Sequence, residues 1–342
     1  MKPVVAITMG DPAGIGPEIA ARAAASPAVQ AAVRPVIVGH METLRRAAPE
    51  VADRLVPAAA DRPGDFPEGR VGVLEVGLPR RPLPWGRLCA EGGEAAVAYV
   101  FAAIDHALAA RVDAVATAPL NKEAMHLAGY RYPGHTEIFG ERTGTPDVAL
   151  MLAAKNLRVI HVTSHVSLRG AIDALSVPRI VTTVRLADRM CRLLGVARPR
   201  VAVAGLNPHN GEHGLFGDEE GRIIEPAVAA ARAEGLDAHG PIAPDTVFHK
   251  ALEFRQYDIV VCMYHDQGHI PFKTLNFDSG VNITAGLPIV RTSVDHGTAF
   301  DIAGRGVARP DSMAEAILMA GEMARARRGG APAEVRGPSP AR

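Results

Sequence analysis

Three histidines each follow a short apolar run: His165 after VIHVTS, His209 after VAVAGLNP and His265 after IVVCMY. Runs of Val, Ile and Ala bounded by Gly, Pro and Asn have the pattern of buried parallel strands, and open α/β sheets bind ligands beyond the carboxyl ends of such strands. Three neutral imidazoles meeting there could share one divalent ion, leave its charge intact and keep a coordination position open, which is the catalytic arrangement. One such histidine would more ordinarily cap a strand or bond a carbonyl; three at strand ends, each within a polar motif, favour the metal. Asp266 follows His265 directly and Asp245 lies in APDTVF. Either carboxylate can orient an imidazole or take a proton, and Asp245 suits the N-cap of TVFHKAL equally well.

Lys273, Asn282 and Arg291 recur every nine residues, from the loop expected after the His265 strand through the apolar run VNITAGLPIV. Arg offers a planar fork of donors and Lys a mobile point charge, so with the amide they suit a phosphate or carboxylate; ordinary surface salt bridges are the competing explanation. His135 and Thr136, on a turn expected at PGHTE, add two groups that can bond a ligand. GDPAGIGPE puts glycines between a strand and a helix, where backbone N–H groups could meet an anion. The chain has neither GxGxxG nor the Gly-Lys-Ser/Thr of a P-loop, so no standard dinucleotide or nucleotide loop can be read from it.

The elements that must carry these groups alternate. Residues 4–39 read as strand, glycine turn, Ala-rich helix and strand, a β-α-β unit. Residues 57–90 read as irregular surface with a weak strand at VGVLEV. A helix over 93–110 leads to the strand DAVATA, and strands at 158–163, 201–205 and 258–263 alternate with helices at 178–194, 220–234 and 244–255. A last helix spans 311–327, and GGAPAEVRGPSPAR has the composition of a solvated tail. Such alternation predicts an α/β fold with mainly parallel sheets. At 342 residues the chain is long enough for two lobes. The 37 basic and 37 acidic side chains cancel and aromatics make up 4%, which argues against a nucleic-acid surface. Three cysteines without a CxxC pair, no apolar leader and no run of about 20 apolar residues predict a cytoplasmic protein that does not span a membrane.

Taken together, MGDPAGIGPEI, TAPLNKEA, GHTEIF, GLNPHNGE and MYHDQGHIPFK, with VNITAGLPIVRTSVDHGTAFDIAG, closely resemble the 4-hydroxythreonine-4-phosphate dehydrogenase (PdxA) family over about residues 4 to 320. GHIPFK and DHGTAFDIAG are most similar to the branch associated with 4-phosphorylated threonate or erythronate. The resemblance implies an isopropylmalate-dehydrogenase-like fold of two α/β/α lobes, 1–128 plus 306–330 and 129–305, with the active site in the interlobe cleft at a dimer interface and 331–342 as a flexible tail.

It also implies a metal site of His165, His209 and His265 drawn from two subunits. The implied substrate contacts are His135, Thr136, Lys273, Asn282 and Arg291, with Asp245, Asp266 and Lys273 as catalytic candidates. The family uses NAD or NADP without GxGxxG, and the loops around Gly205, Asn207, Leu287 and Asp295 are the expected cofactor contacts. The ion would be Zn, Co or Mg. The implied reaction is oxidation, with decarboxylation, of a 4-phosphorylated 3-hydroxy acid: 4-phosphooxy-L-threonine, 4-phospho-D-threonate or 4-phospho-D-erythronate. The alternatives are a cis-dihydrodiol carboxylate dehydrogenase or, less favoured, a metal-dependent hydrolase.

Overall fold

A computed structural model describes residues 1–277 and 279–329; the tail expected over 331–342 lies outside them. The apolar runs form β1 (Val4–Thr8), β2 (Arg34–Gly39), β3 (Leu55–Pro57), β4 (Val71–Glu75), β5 (Ala114–Thr117), β6 (Ala149–Ala153), β7 (Arg158–His161), β8 (Val201–Ala204), β9 (Ala238–Ile242), β10 (Ile259–Cys262), β11 (Val281–Ala285) and β12 (Val290–Ser293). All belong to one 12-stranded sheet in the order β3-β4-β2-β1-β5-β12-β11-β6-β7-β10-β8-β9. The mainly parallel α/β fold read from the sequence is therefore present, as one continuous sheet.

Two parallel blocks run in opposite directions, because β11 is antiparallel to both β12 and β6, and β6 is antiparallel to β7. Strands β5, β6, β8 and β10 are buried along their whole length, as expected where helices cover both faces. Each fully buried Val, Ile or Leu contributes roughly 1.5–3 kcal/mol. Small residues let helices lie close to the sheet and to one another: Ala20, Ala21, Ala23 and Ala24 of the helix Gly16–Ala25 have no exposed surface. A Cβ on Gly93, in the helix Ala90–Leu108, would stand 2.1 Å from the Ala124 carbonyl oxygen.

Four local expectations need correction. His265–Asn276 is a helix, so Lys273 stands on a helix and not in a loop; Gly268 and Pro271 gave that segment the look of a loop. His135 begins the helix His135–Arg142 immediately after Gly134. Asp245 is an exposed residue in the first turn of Pro244–Leu252, whose N-cap is Ala243. The backbone donors after β1 are already engaged, with Ala13 N donating to Asp11 Oδ1, Gly14 N to Asp11 O and Ile15 N to Thr298 O at 2.9–3.0 Å. No helix among the described residues is long and apolar enough to cross a membrane.

Candidate active site

β7 and β10 lie side by side in register, Cys262 opposite His161. His165 and His265, just beyond their ends, therefore stand as neighbours with ring centroids 5.9 Å apart. Burial lowers the His165 pKa, an effect that the Glu137 charge opposes and those of Lys122 and His265 reinforce. Asp266 Oδ1 lies 2.6 Å from His265 Nδ1, and a ring that donates to a carboxylate there is oriented to ligate through Nε2.

His209 occupies a different surface. Beyond β8, residues His209, Asn210, Gly211, Glu212 and His213 have φ of 53°, 57°, 74°, 44° and 58°, a left-handed stretch that costs non-glycine residues energy and is typical of functional loops. Glu220, only 3% exposed, pins its base by accepting from the Leu206 and Asn207 amides at 2.7 Å each. The His209 imidazole is 67% exposed and lines a cleft of about 890 Å³ with Glu212, His213, Glu220 and Arg222. Among the described residues no three His, Cys, Asp or Glu side chains gather closely enough to hold an ion. One chain thus brings His165 and His265 together and does not add His209 to them. The donor set still fits a divalent ion: two adjacent imidazoles, one with its pKa lowered by desolvation and the other oriented by a carboxylate, with room for ligands from elsewhere.

The anion-binding candidates converge on the β5–β12–β11 part of the sheet. Arg291 is 2% exposed on β12 and donates from Nη1 to Thr284 Oγ1 at 2.9 Å and from Nη2 to Thr117 Oγ1 at 2.7 Å. Burial brings its pKa down to about 9, against the opposing charge of Glu137. Its hydrogen-bond partners are neutral hydroxyls, and its Nε is shielded from solvent without a partner. His135 Nε2, Asn282 Oδ1 and Glu137 Oε2 are shielded and unpartnered too. Desolvation, followed by the charges of Arg291 and Lys122, holds the His135 imidazole neutral. Buried polar groups without partners are costly, and a polar ligand that bonds them offsets the cost. Thr136 sits beside His135 in the first helical turn, and Lys273 pairs with Asp295 at 3.1 Å.

Of the expected cofactor contacts, Asp295 therefore adjoins Lys273 and Leu287 is 4% exposed within the core. Gly205 donates to Ile242 O and accepts from Gln267 Nε2, while the Asn207 amide side chain donates to Glu219 and Glu220. Sequence reasoning missed Lys122 and Glu137, whose charges reach His165 and the Arg291 pocket, and it missed His161 and His269, buried beside His265. The signal for the last two was available: His161 and His165, like His265 and His269, are four residues apart.

Reactive groups gathered beyond strand ends, over a basic buried pocket, define an α/β enzyme. The model of the pyridoxal phosphate biosynthetic protein PdxA matches residues 31–320, and the chain belongs to that family. It is 50% identical to the D-threonate 4-phosphate dehydrogenase of Salmonella typhimurium over 326 residues, covering 94% of this chain and 98% of that protein. It is 47% identical to the 4-hydroxythreonine-4-phosphate dehydrogenase of Geobacter metallireducens over 333 residues, 96% of this chain and 98% of the relative. The crystal structure of a 4-hydroxythreonine-4-phosphate dehydrogenase from Klebsiella pneumoniae superimposes with a TM-score of 0.84 at 50% identity, covering 94% of this chain and 100% of that one.

Proposed function

We propose that this protein is a metal-dependent dehydrogenase that uses NAD or NADP to oxidise a 4-phosphorylated 3-hydroxy acid, with D-threonate 4-phosphate as the favoured substrate, and that the resulting β-keto acid loses carbon dioxide. The observation that carries the reading is Arg291, a buried guanidinium bonded only to threonine hydroxyls. A phosphate dianion would add the charge-assisted bonds that neutral hydroxyls do not give, and binding energy gathered there, away from the reacting carbon, positions the alcohol. Lys122 and His135 border the same pocket; neutral His135 offers a hydrogen bond without adding charge. Asn282 Oδ1, shielded and unpartnered, would accept from a substrate hydroxyl.

His165 and His265, joined by His209 of the partner subunit, would hold the ion. When bound, a divalent cation lowers the pKa of a coordinated alcohol and stabilises developing negative charge. Asp266 fixes the His265 ring, and Lys273, balanced by Asp295, would exchange a proton with substrate; Asp245 and Asp266 are the acidic candidates. The nicotinamide is read along the loops after β8 and β12, near Gly205, Asn207, Leu287 and Asp295. The lobes read from the sequence would meet between β5 and β12. Relatives named for D-threonate 4-phosphate and for 4-hydroxythreonine 4-phosphate support a phosphorylated hydroxy acid.

The test is absorbance of reduced nicotinamide with D-threonate 4-phosphate, D-erythronate 4-phosphate and 4-hydroxythreonine 4-phosphate, each with NAD and NADP, with and without chelator. Turnover that requires the phosphate group, is abolished by chelator and returns with added metal is expected. Product formed with no absorbance change would indicate a hydrolase and contradict the reading.

A further inference from the structure

We propose that His161 and His269 are positioning residues, a buried pair of imidazoles anchored to the sheet that fixes the ring of His265. His161 ends β7 and is 1% exposed; His269 lies one turn beyond His265 on the helix His265–Asn276 and is 8% exposed. His161 Nδ1 stands 3.0 Å from the Leu150 carbonyl oxygen on the adjacent strand β6. A carbonyl only accepts, so Nδ1 carries the proton, and in a buried ring bonded to no acid Nε2 is left as an acceptor. His269 Nδ1 lies 3.2 Å from that Nε2 and 3.2 Å from the His265 carbonyl oxygen. Both are acceptors, so His269 also carries its proton on Nδ1 and its Nε2 has none. The His269 ring then lies flat against His265, centroids 3.6 Å apart and planes 13° from parallel.

His265 is thereby held by the Asp266 carboxylate at Nδ1 and by a stacked ring on one face, and that ring is tied through His161 to the sheet. Rotation of His265 would break either the carboxylate bond or the stack. The cluster is built at a cost. Two polar rings are buried where leucines would fill the space without desolvation. A Cβ at residue 268 would stand 2.5 Å from His161 Nε2 and 2.9 Å from Cys262 Sγ, so the helix keeps Gly268 at a position where alanine would favour helix formation.

The inference rests on the reading of His265 as a site residue, and its test separates the two. Long-range proton–nitrogen correlation spectra of metal-free, 15N-histidine-labelled protein report the tautomers directly; assignment uses His161→Leu and His269→Leu. Nδ1–H tautomers for both residues are expected, and an Nε2–H tautomer at His269 overturns the proposal. Co²⁺ alone is then titrated, followed by its absorption bands, into the parent, the two Leu variants and His269→Phe. The Leu variants should bind Co²⁺ about 10-fold more weakly and lose about 10-fold in kcat with KM within threefold, whereas His269→Phe, which keeps a flat ring over His265, recovers at least half of the loss in both. Leu variants within twofold of the parent in Co²⁺ affinity and kcat overturn it. If the parent binds no Co²⁺ and chelator leaves turnover intact, the metal reading fails on its own; the tautomers and the kcat values then decide the positioning role.

Discussion

Arg291 holds a positive charge where solvent cannot reach it, with Glu137 as the nearby carboxylate and His135 neutral beside it. Arg291→Ala should lower kcat/KM for a phosphorylated substrate by about 100-fold or more, because charge-assisted bonds to a dianion are lost; steady-state kinetics within threefold of the parent would contradict the phosphate role.

Lys273, Asn282 and Arg291 were legible because cations and an amide in an apolar stretch are chemically out of place. Lys122 and Glu137 were not, because a charge near a helix start looks like ordinary surface until the fold sets it beside the buried Arg291 and His135. His161 was hidden inside a strand pattern and His269 beside Pro271.

Strands and helices were more legible than their ends. Uniform burial made β8 and β10 continuous apolar runs, whereas β9, AHGPI, contains Gly240 and Pro241 and reads as a turn. Its place at the edge of the sheet explains why proline is tolerated there. The helix His265–Asn276 was unreadable for a related reason: Gly268 and Pro271 obey tertiary demands, not helix propensity.

Gly268→Ala should destabilise the protein, since the crowding at His161 and Cys262 costs about 1–3 kcal/mol against a helical gain of about 1 kcal/mol; a urea midpoint at or above the parental one would contradict this. The loop after β1 makes the opposite prediction. Burial raises the Asp11 carboxyl from 3.8 to about 6 despite the Ala13 hydrogen bond, and Tyr99 lies within reach of its charge. Ionising it in the fold therefore costs nothing below pH 3.8, and the full cost is present above pH 6. Asp11→Asn should stabilise the protein by about 2–3 kcal/mol at pH 8 and hardly at all near pH 4, as denaturant unfolding at the two pH values would report.

The sheet joins two oppositely directed parallel blocks, and the candidate site draws on both: Arg291 and Thr117 from one, His165 and His265 from the other. Exposed apolar side chains flank all three proposed ligands, Val166 and Leu168 beside His165, Ile270 and Phe277 on the helix that His265 begins or just past it, and Leu215 and Phe216 after His209, all at least half exposed. Apolar surface of this kind would be covered by the partner subunit of the proposed dimer. The alternation of strands and helices pointed to an α/β fold with mainly parallel sheets; pairing between distant segments decides that the strands form one sheet, and that pairing cannot be read from local pattern.

Subunit complementation tests the shared centre most directly. His209→Ala and His265→Ala, each inactive alone, are mixed, dissociated and reassociated, and heterodimers are verified by mass. With His209 supplied across the interface, each heterodimer has one intact site, and the mixture should recover about a quarter of parental activity; verified heterodimers with no activity would contradict a centre shared between two chains.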